Sequence, residues 1–484
     1  MALGYKHGVY TNERATSLVP VTATDSGLIV AFGTAPVHLA SAPAAVNTPV
    51  LCYSYKEAVA ALGYADEWEK YTLAEVIKTH FALFNMAPIV LVNVLDPAKH
   101  KENVQDKQTA MAGGIVTMTE PVLLDTLKVK LTAAHQELVK GTDYTAAYDD
   151  EGHVIITPMA GGGIPSGQTE LYLSYTMLDP AAVRASDIIG GIDAVTNRTE
   201  GLELIDEVFP RFGLVPGIII APGWSHDVTV AAVMKAKEHN ICGHFNAISI
   251  CDIPTKEVKA YTAASKWKNE KNFADKDCIL TWPMVKLGNE KYHLSTQIAS
   301  LMNRTDSQHD DVPYYSPSNK NLQADGACLV DGTEVFLNSA NAGYLNGQGI
   351  VTALNFIGGW KLWGNRTTAY PSNTDVKDSF ITNRRMFNWV GNTLVTTYWS
   401  KIDEPTNKRL IETVVDSANI WLNGLSAKGA LLGGRVEFRE DENTTTELMD
   451  GIIRFHVYLT PAAPARDIEF VMEYDPGYIS ALFS

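Results

Sequence analysis

The chain runs to 484 residues, long enough for roughly three domains of about 100–200 residues each and for a large buried core. Its formal charge of -16 comes from acids and bases mixed along the sequence, a solubility feature that argues against nucleic acid as a main partner. The five scattered cysteines show no zinc-finger spacing, no apolar run reaches the ~18 residues of a membrane span and no signal peptide opens the chain; buried free thiols in a reducing cytoplasm are expected.

Residues 1–21 lack apolar periodicity and are expected to form an extended arm. The run Leu28-Ile-Val-Ala-Phe-Gly33 predicts a buried strand, and the Ala/Pro-rich residues 34–49 a loop. Ser54, with Glu57 three residues on, makes a capping box for a helix through Leu62. A second helix over 72–84 and an apolar strand over 88–95 complete a β-α-α-β unit. From 97 to 179 the pattern changes to short β-like runs at 116–118, 122–124, 129–131, 144–148, 153–156 and 171–175, the spacing of an inserted small β-sandwich.

Residues 180–350 alternate helices (201–209, 227–239, 255–268) with short apolar strands (217–221, 247–252, 278–282), which predicts a parallel sheet covered on both faces. The polar residues 303–321 are expected as a long exposed loop and 325–349 as a connection. Beyond 351 come helices over 379–398 and 406–423, a turn at Gly433-Gly434, and two alternating strands over 453–459 and 468–474. Pro461-Ala462-Ala463-Pro464 separates those strands; it is too Pro-rich for a tight hairpin, so the last strand is free to pair elsewhere.

Three constellations could carry chemistry. Gly162-Gly-Ile-Pro-Ser-Gly167-Gln168-Thr169 has phosphate-loop spacing, but Gln168 replaces the lysine, Pro165 interrupts the amides and no helix is expected to follow, so a turn is the better reading. Asp187 or Asp193, His226 and Ser295 occur in an order used by one class of serine hydrolase, without a Gly-x-Ser-x-Gly elbow; His226 better suits a helix start beside Ser225 or Asp227. The acidic runs Asp149-Asp150, Asp310-Asp311 and Glu440-Asp441-Glu442 lack the interleaved pattern of a calcium loop and read as solvated turns. No catalytic, cofactor-binding or metal-binding residue is therefore expected.

Tyr5-Lys-His-Gly8-Val9-Tyr10 and Leu28-Ile-Val-Ala-Phe-Gly33-Thr-Ala35 open a longer pattern. Trp363-Gly-Asn-Arg-Thr367, Thr382-Asn-Arg-Arg385, Glu404-Pro-Thr-Asn407, Gly429-Ala-Leu-Leu-Gly433 and Asp450-Gly451 continue it. In order and spacing these motifs resemble the contractile tail sheath proteins of bacteriophages and of phage-tail-like bacteriocins. The resemblance spans nearly the whole chain, with the inserted β-domain its least diagnostic part.

It implies an α/β multidomain fold. The central subtilisin-like parallel-sheet α/β domain (180–350) is non-catalytic, the small β-sandwich (97–179) is inserted, and an α+β core domain is built from N- and C-terminal segments (22–96 and 351–460). Extended terminal arms occupy 1–21 and 461–484. The resemblance further implies a helical homopolymer of stacked hexameric rings around an inner tail tube protein, with baseplate and tail terminator proteins as further partners. It implies assembly in the bacterial cytoplasm, no cofactor and no membrane insertion, and contraction that drives the tube through a target cell envelope.

Mapped by motif, the intersubunit arm residues are Gly8, Val9, Tyr10, Leu18 and Val19 at the amino end and Ile468, Glu469, Phe470, Val471, Met472, Glu473 and Tyr474 at the carboxyl end. Pro461, Ala462, Ala463 and Pro464 form the linker. Each arm is expected to add a strand to a neighbour's sheet, with Glu469 and Glu473 discouraging promiscuous edge pairing before assembly. The alternative for the last strand is pairing within its own subunit. Competing functions are a hydrolase-type α/β enzyme and a non-contractile shell or tube component.

Overall fold

In the computed structural model, which describes residues 20–21 and 23–483, the first regular element is β1 (Ile29–Gly33), buried along its whole length. The arm residues Gly8, Val9, Tyr10, Leu18 and Val19 lie outside the described residues. β2 (Pro49–Cys52), α1 (Tyr55–Leu62), α2 (Thr72–Ile77) and β3 (Ile89–Asn93) follow, with α2 continuing as a π-helical turn over Lys78–Leu83. Ser54 caps α1 as its spacing predicts: its hydroxyl accepts from the Glu57 amide, and the Glu57 carboxylate accepts from the Tyr53 amide.

The inserted region has a core of its own. β4 (Lys101–Ala110), β5 (Val116–Met118), β6 (Lys128–Lys130), β7 (Tyr144–Tyr148), β8 (Val154–Pro158) and β9 (Glu170–Leu178) make two antiparallel sheets, β4-β9-β6 and β5-β8-β7. Val116, Val129, Tyr144, Ile156 and Leu173 are buried between them. β4, sequence KENVQDKQTA, has no apolar alternation and escapes a pattern search; it is an edge strand whose exposed charges suit an edge. The run from Gly162 to Thr169 is the turn between β8 and β9.

α3 (Ala185–Ile189), the short ribbon of β10 (Gly191–Ile192) and β11 (Thr199–Glu200), α4 (Val208–Phe212), β12 (Ile218–Ile220), α5 (Val228–Ala236), β13 (Ile248–Asp252), α6 (Tyr261–Glu270) and β14 (Cys278–Thr281) return the chain to the first sheet. Its order is β14-β13-β12-β1-β3-β2, parallel except for the edge strand β2. This corrects the expected assignment of residues 22–96 to a core apart from 180–350, because β1, β2 and β3 are half of the six-stranded sheet. All-apolar strands need cover on both faces, and the middle of a parallel sheet supplies it.

β15 (Met284–Leu287), β16 (Glu290–Tyr292), α7 (Leu294–Ser307), β17 (Gly326–Cys328), α8 (Ser339–Gly347), β18 (Thr352–Asn355) and β19 (Trp360–Trp363) close this body. The expected exposed loop at 303–321 is corrected at its start, which is the last turn of a buried helix. Apart from Asn303 Oδ1, its buried polar groups are partnered. Asn303 Nδ2 donates to the Gly27 carbonyl at 2.8 Å, and the Thr305 hydroxyl to the Leu301 carbonyl at 2.7 Å. The connection expected at 325–349 likewise contains β17 and α8.

α9 (Val376–Ser379), α10 (Ile381–Tyr398), α11 (Lys408–Ala427), β20 (Leu431–Glu437), α12 (Thr445–Met449) and β21 (His456–Pro461) form a carboxy-terminal unit around Met386, Trp389, Val390, Leu422 and Val436. Gly433 and Gly434, expected as a turn, lie inside β20 opposite Thr460 and Leu459. The register shifts between Leu431 and Gly433, and glycine tolerates that irregularity.

Candidate assembly site and the cleft at the sheet end

The parallel sheet ends in a cleft of about 650 Å³ lined by Trp68, Glu75, Trp224, His226, Asp252 and His293, where open α/β sheets commonly hold ligands. The triad set aside on sequence grounds does not meet there. Asp187 pairs with Lys99 and His100, and Asp193 accepts from the amides of Val195 and Thr196. Ser295 is fully buried, and its hydroxyl donates to Asp252 at 2.5 Å.

The cleft's acids instead cap α7, whose first amides have no acceptor on their own helix. Glu75 accepts from the His293 amide and from His293 Nδ1, both at 2.7 Å, and from the Thr296 hydroxyl at 2.5 Å. Asp252 accepts from the Ser295 amide at 3.0 Å and from the Thr281 hydroxyl at 2.7 Å. Burial alone would lower the His293 pKa, but the Glu75 carboxylate outweighs it and raises the imidazolium to about 9. His226 is pushed down by burial and by His293. With Glu75 and Asp252 saturated, Ser295 faces no free base, so the arrangement buttresses a helix and does not activate a nucleophile.

The body and the carboxy-terminal unit are joined through two arginines on α10. Arg385 forms a two-pronged, buried pair with Asp306 of α7 and donates to the Ser26 carbonyl at 3.1 Å. Arg384 Nε reaches Asp277, just before β14, at 2.9 Å. Beyond them, α11 packs on β20 and α10 touches β21; among the described strands β20 and β21 pair with each other alone.

β21 runs through Pro461, which is buried opposite Leu431; it is the last rung of a ladder and not part of the linker as expected. Pro461 itself donates nothing, and one further bond, from the Ala462 amide to the Ala430 carbonyl at 3.3 Å, closes the ladder. Ala462, Ala463 and Pro464 line a cleft of about 750 Å³ together with Tyr314, Trp363 and Arg366. The expected strand over 468–474 is not a strand in the single chain. Phe470, Val471 and Met472 are 85%, 86% and 93% exposed, and Ile468, Glu469, Glu473 and Tyr474 also face solvent. A strand exists only where a neighbour satisfies its amides and carbonyls, and none of the described strands pairs with this segment. A row of large apolar side chains left in water marks an interaction surface.

No family model matches the sequence. The chain is 29% identical over 503 residues to the tail sheath protein of Burkholderia phage BcepMu, an alignment that covers 100% of this chain and 99% of the relative. The fold is similar to that of a PVC sheath complex from an extracellular contractile injection system in its contracted state (TM-score 0.59, 15% identity, 99% of both chains). It is also similar to the helical sheath of the anti-feeding prophage in its contracted state (TM-score 0.57, 14% identity, 98% of this chain and 100% of that one). The curated relatives and the fold neighbours are contractile tail sheath proteins. Among the sequence motifs, Arg384 and Arg385 are brought onto buried carboxylates, whereas the partners Asp277 and Asp306 were not singled out. The available signal was the Arg-Arg pair on a helix with an apolar face, because a buried guanidinium requires an acid. No described helix is long and apolar enough to cross a membrane.

Proposed function

We propose that this sheath protein polymerises as helically stacked hexameric rings around an inner tube protein, in a phage tail or phage-tail-like particle assembled in the bacterial cytoplasm. Baseplate and terminator proteins cap the polymer at its ends. The observation that carries this reading is the exposed apolar run of Ile468, Phe470, Val471, Met472 and Tyr474, tethered by Ala462, Ala463 and Pro464 beside the open two-stranded sheet of β20 and β21. A tail donated to the next subunit's sheet is β-augmentation. Because every subunit gives one tail and receives another, the contact is head-to-tail, and such contacts generate rings or helices.

The amino-terminal arm, with Gly8, Val9, Tyr10, Leu18 and Val19, supplies a second link of the same kind. Contraction needs no fuel: the extended lattice is metastable, the bodies gain contacts as they rotate, and the mesh of exchanged strands keeps them joined. The parallel-sheet body is a subtilisin-like scaffold without catalytic work. α11, which exposes Ile420, faces the tube. Deletion of residues 465–484 tests the reading: a folded monomer that forms no tubes by electron microscopy is expected, and normal polymers from the truncated chain overturn it.

A further inference from the structure

Just past the end of α5, Glu238 and His239 come to the start of β14, where Asp275 and Asp277 precede Cys278. One ligand atom from each of the four residues lies within 4.8 Å of every other. Glu238 and Asp277 are fully buried. Glu238 uses Oε1 to accept from the Ser249 hydroxyl, and Asp277 uses Oδ1 to accept from Arg384 Nε at 2.9 Å and Asn388 Nδ2 at 2.7 Å. Their other oxygens, Glu238 Oε2 and Asp277 Oδ2, are buried without a hydrogen-bond partner. An orphaned buried carboxylate oxygen is costly, and two in one cluster call for a positive charge between them.

We propose that Glu238, His239, Asp275 and Asp277 form a binding site for a divalent transition-metal ion of the zinc class. His239 Nε2 lies 3.4 Å from Asp277 Oδ2. That separation is the edge of a tetrahedron with bonds of about 2.1 Å, the length of zinc–nitrogen and zinc–oxygen bonds. Arg384 offsets one of the three carboxylates, and the charge that is left matches a dication. An imidazole in the donor set selects against magnesium and calcium, which take oxygen ligands.

The surroundings orient the imidazole as a ligand. His239 Nδ1 faces Asn246 Oδ1 at 3.3 Å; an N–H there leaves the Nε2 lone pair pointing toward the carboxylates. Asn246 is in turn held to Asn392 of α10, its amide donating to Asn392 Oδ1 at 2.9 Å and its carbonyl accepting from Asn392 Nδ2 at 2.8 Å. His239 and Asp275 are partly exposed, which gives an ion a way in. Through Arg384, Asn388 and Asn392 the site is bonded to α10, so a bound ion pins the sheet body to the unit that carries the tail.

The test uses tag-free full-length protein, stripped with EDTA, dialysed, and loaded with Zn2+, Mn2+ or Mg2+ before desalting, elemental analysis and thermal melting. Retention of one zinc per chain is expected, with a melting temperature raised by zinc, less by manganese and not by magnesium. His239→Gln and Asp275→Asn change the two partly exposed members. In EDTA both are expected to melt like the unaltered protein, and to bind zinc at least about tenfold more weakly. Weakened binding in either folded variant supports the site. Failure of the unaltered chain to retain zinc, or equal retention by both variants, overturns it and makes Glu238 a buried neutral acid.

Discussion

In α7 the side chains of Ser295, Thr296, Gln297, Ser300, Asn303, Thr305 and Asp306 are buried, whereas beyond Pro464 the side chains of Phe470, Val471 and Met472 stand in water. Composition alone predicts the reverse. The polar helix is interior because Glu75, Asp252, Gly27 and Arg385 supply its groups with partners, so burial leaves little unsatisfied. The apolar tail is exterior because a strand's backbone groups need an adjacent strand, and none of the described strands pairs with it. One region is partnered within the described chain and the other is not.

The sharpest way to break the first half of that contrast is Arg385→Ala. It leaves Asp306 buried without its guanidinium and strips a donor from the Ser26 carbonyl, so a loss of about 3–5 kcal/mol is expected in urea unfolding. A loss below about 1 kcal/mol would mean that the pair does not hold α10 to α7.

The cap of α7 gives a pH-dependent version of the same test. His293 is raised from 6.5 to about 9 in the folded chain by Glu75 against the opposing effect of burial, so its contribution is fully present below pH 6.5 and is lost as pH rises through 9. Stability is expected to fall over that window by up to about 3 kcal/mol, and His293→Gln to flatten that part of the curve. An unchanged slope in the variant assigns the fall to other groups.

Much of the sheet was legible because β1, β3, β13 and β14 are short apolar runs, and α1, α10 and α11 carry caps or a helical period. Membership was not legible. Nothing local tells β1 that one of its neighbours is β12, about 190 residues on, because pairing depends on closure of long loops and not on the strand's own pattern. α7 was read as a loop over its last turn because its partners, Gly27 and Arg385, lie far away in sequence. At the cleft, Ser295 and His226 were singled out only as members of a triad that was set aside, while Asp252 and Glu75 were not singled out, and those acids decide that the hydroxyl is a donor and not a nucleophile. For the tail, alternation gave the strand tendency and Pro464 its separation, and none of the described strands pairs with it.

A smaller effect is expected at α11, where the Asn407 side chain accepts from the Leu410 amide at 2.9 Å. Asn407→Ala should cost about 1 kcal/mol in a thermal melt, since one orphan amide of the first turn loses its acceptor. A neutral result would mean that packing of α11 on β20 fixes the helix start without the cap.

The smallest effect on stability carries the most about function. Phe470→Asp combined with Met472→Asp places two charges on side chains that are 85% and 93% exposed, so the unassembled chain should keep its stability within about 0.5 kcal/mol. A neighbour's sheet that receives this segment has to bury one of its faces, and an aspartate there is buried without a partner in every repeat of the polymer. Unchanged melting of the monomer together with loss of tubes therefore separates a donated strand from one that folds back on its own subunit. In the fold-back case the same substitutions lower the stability of the isolated chain, because the buried face then belongs to the subunit itself.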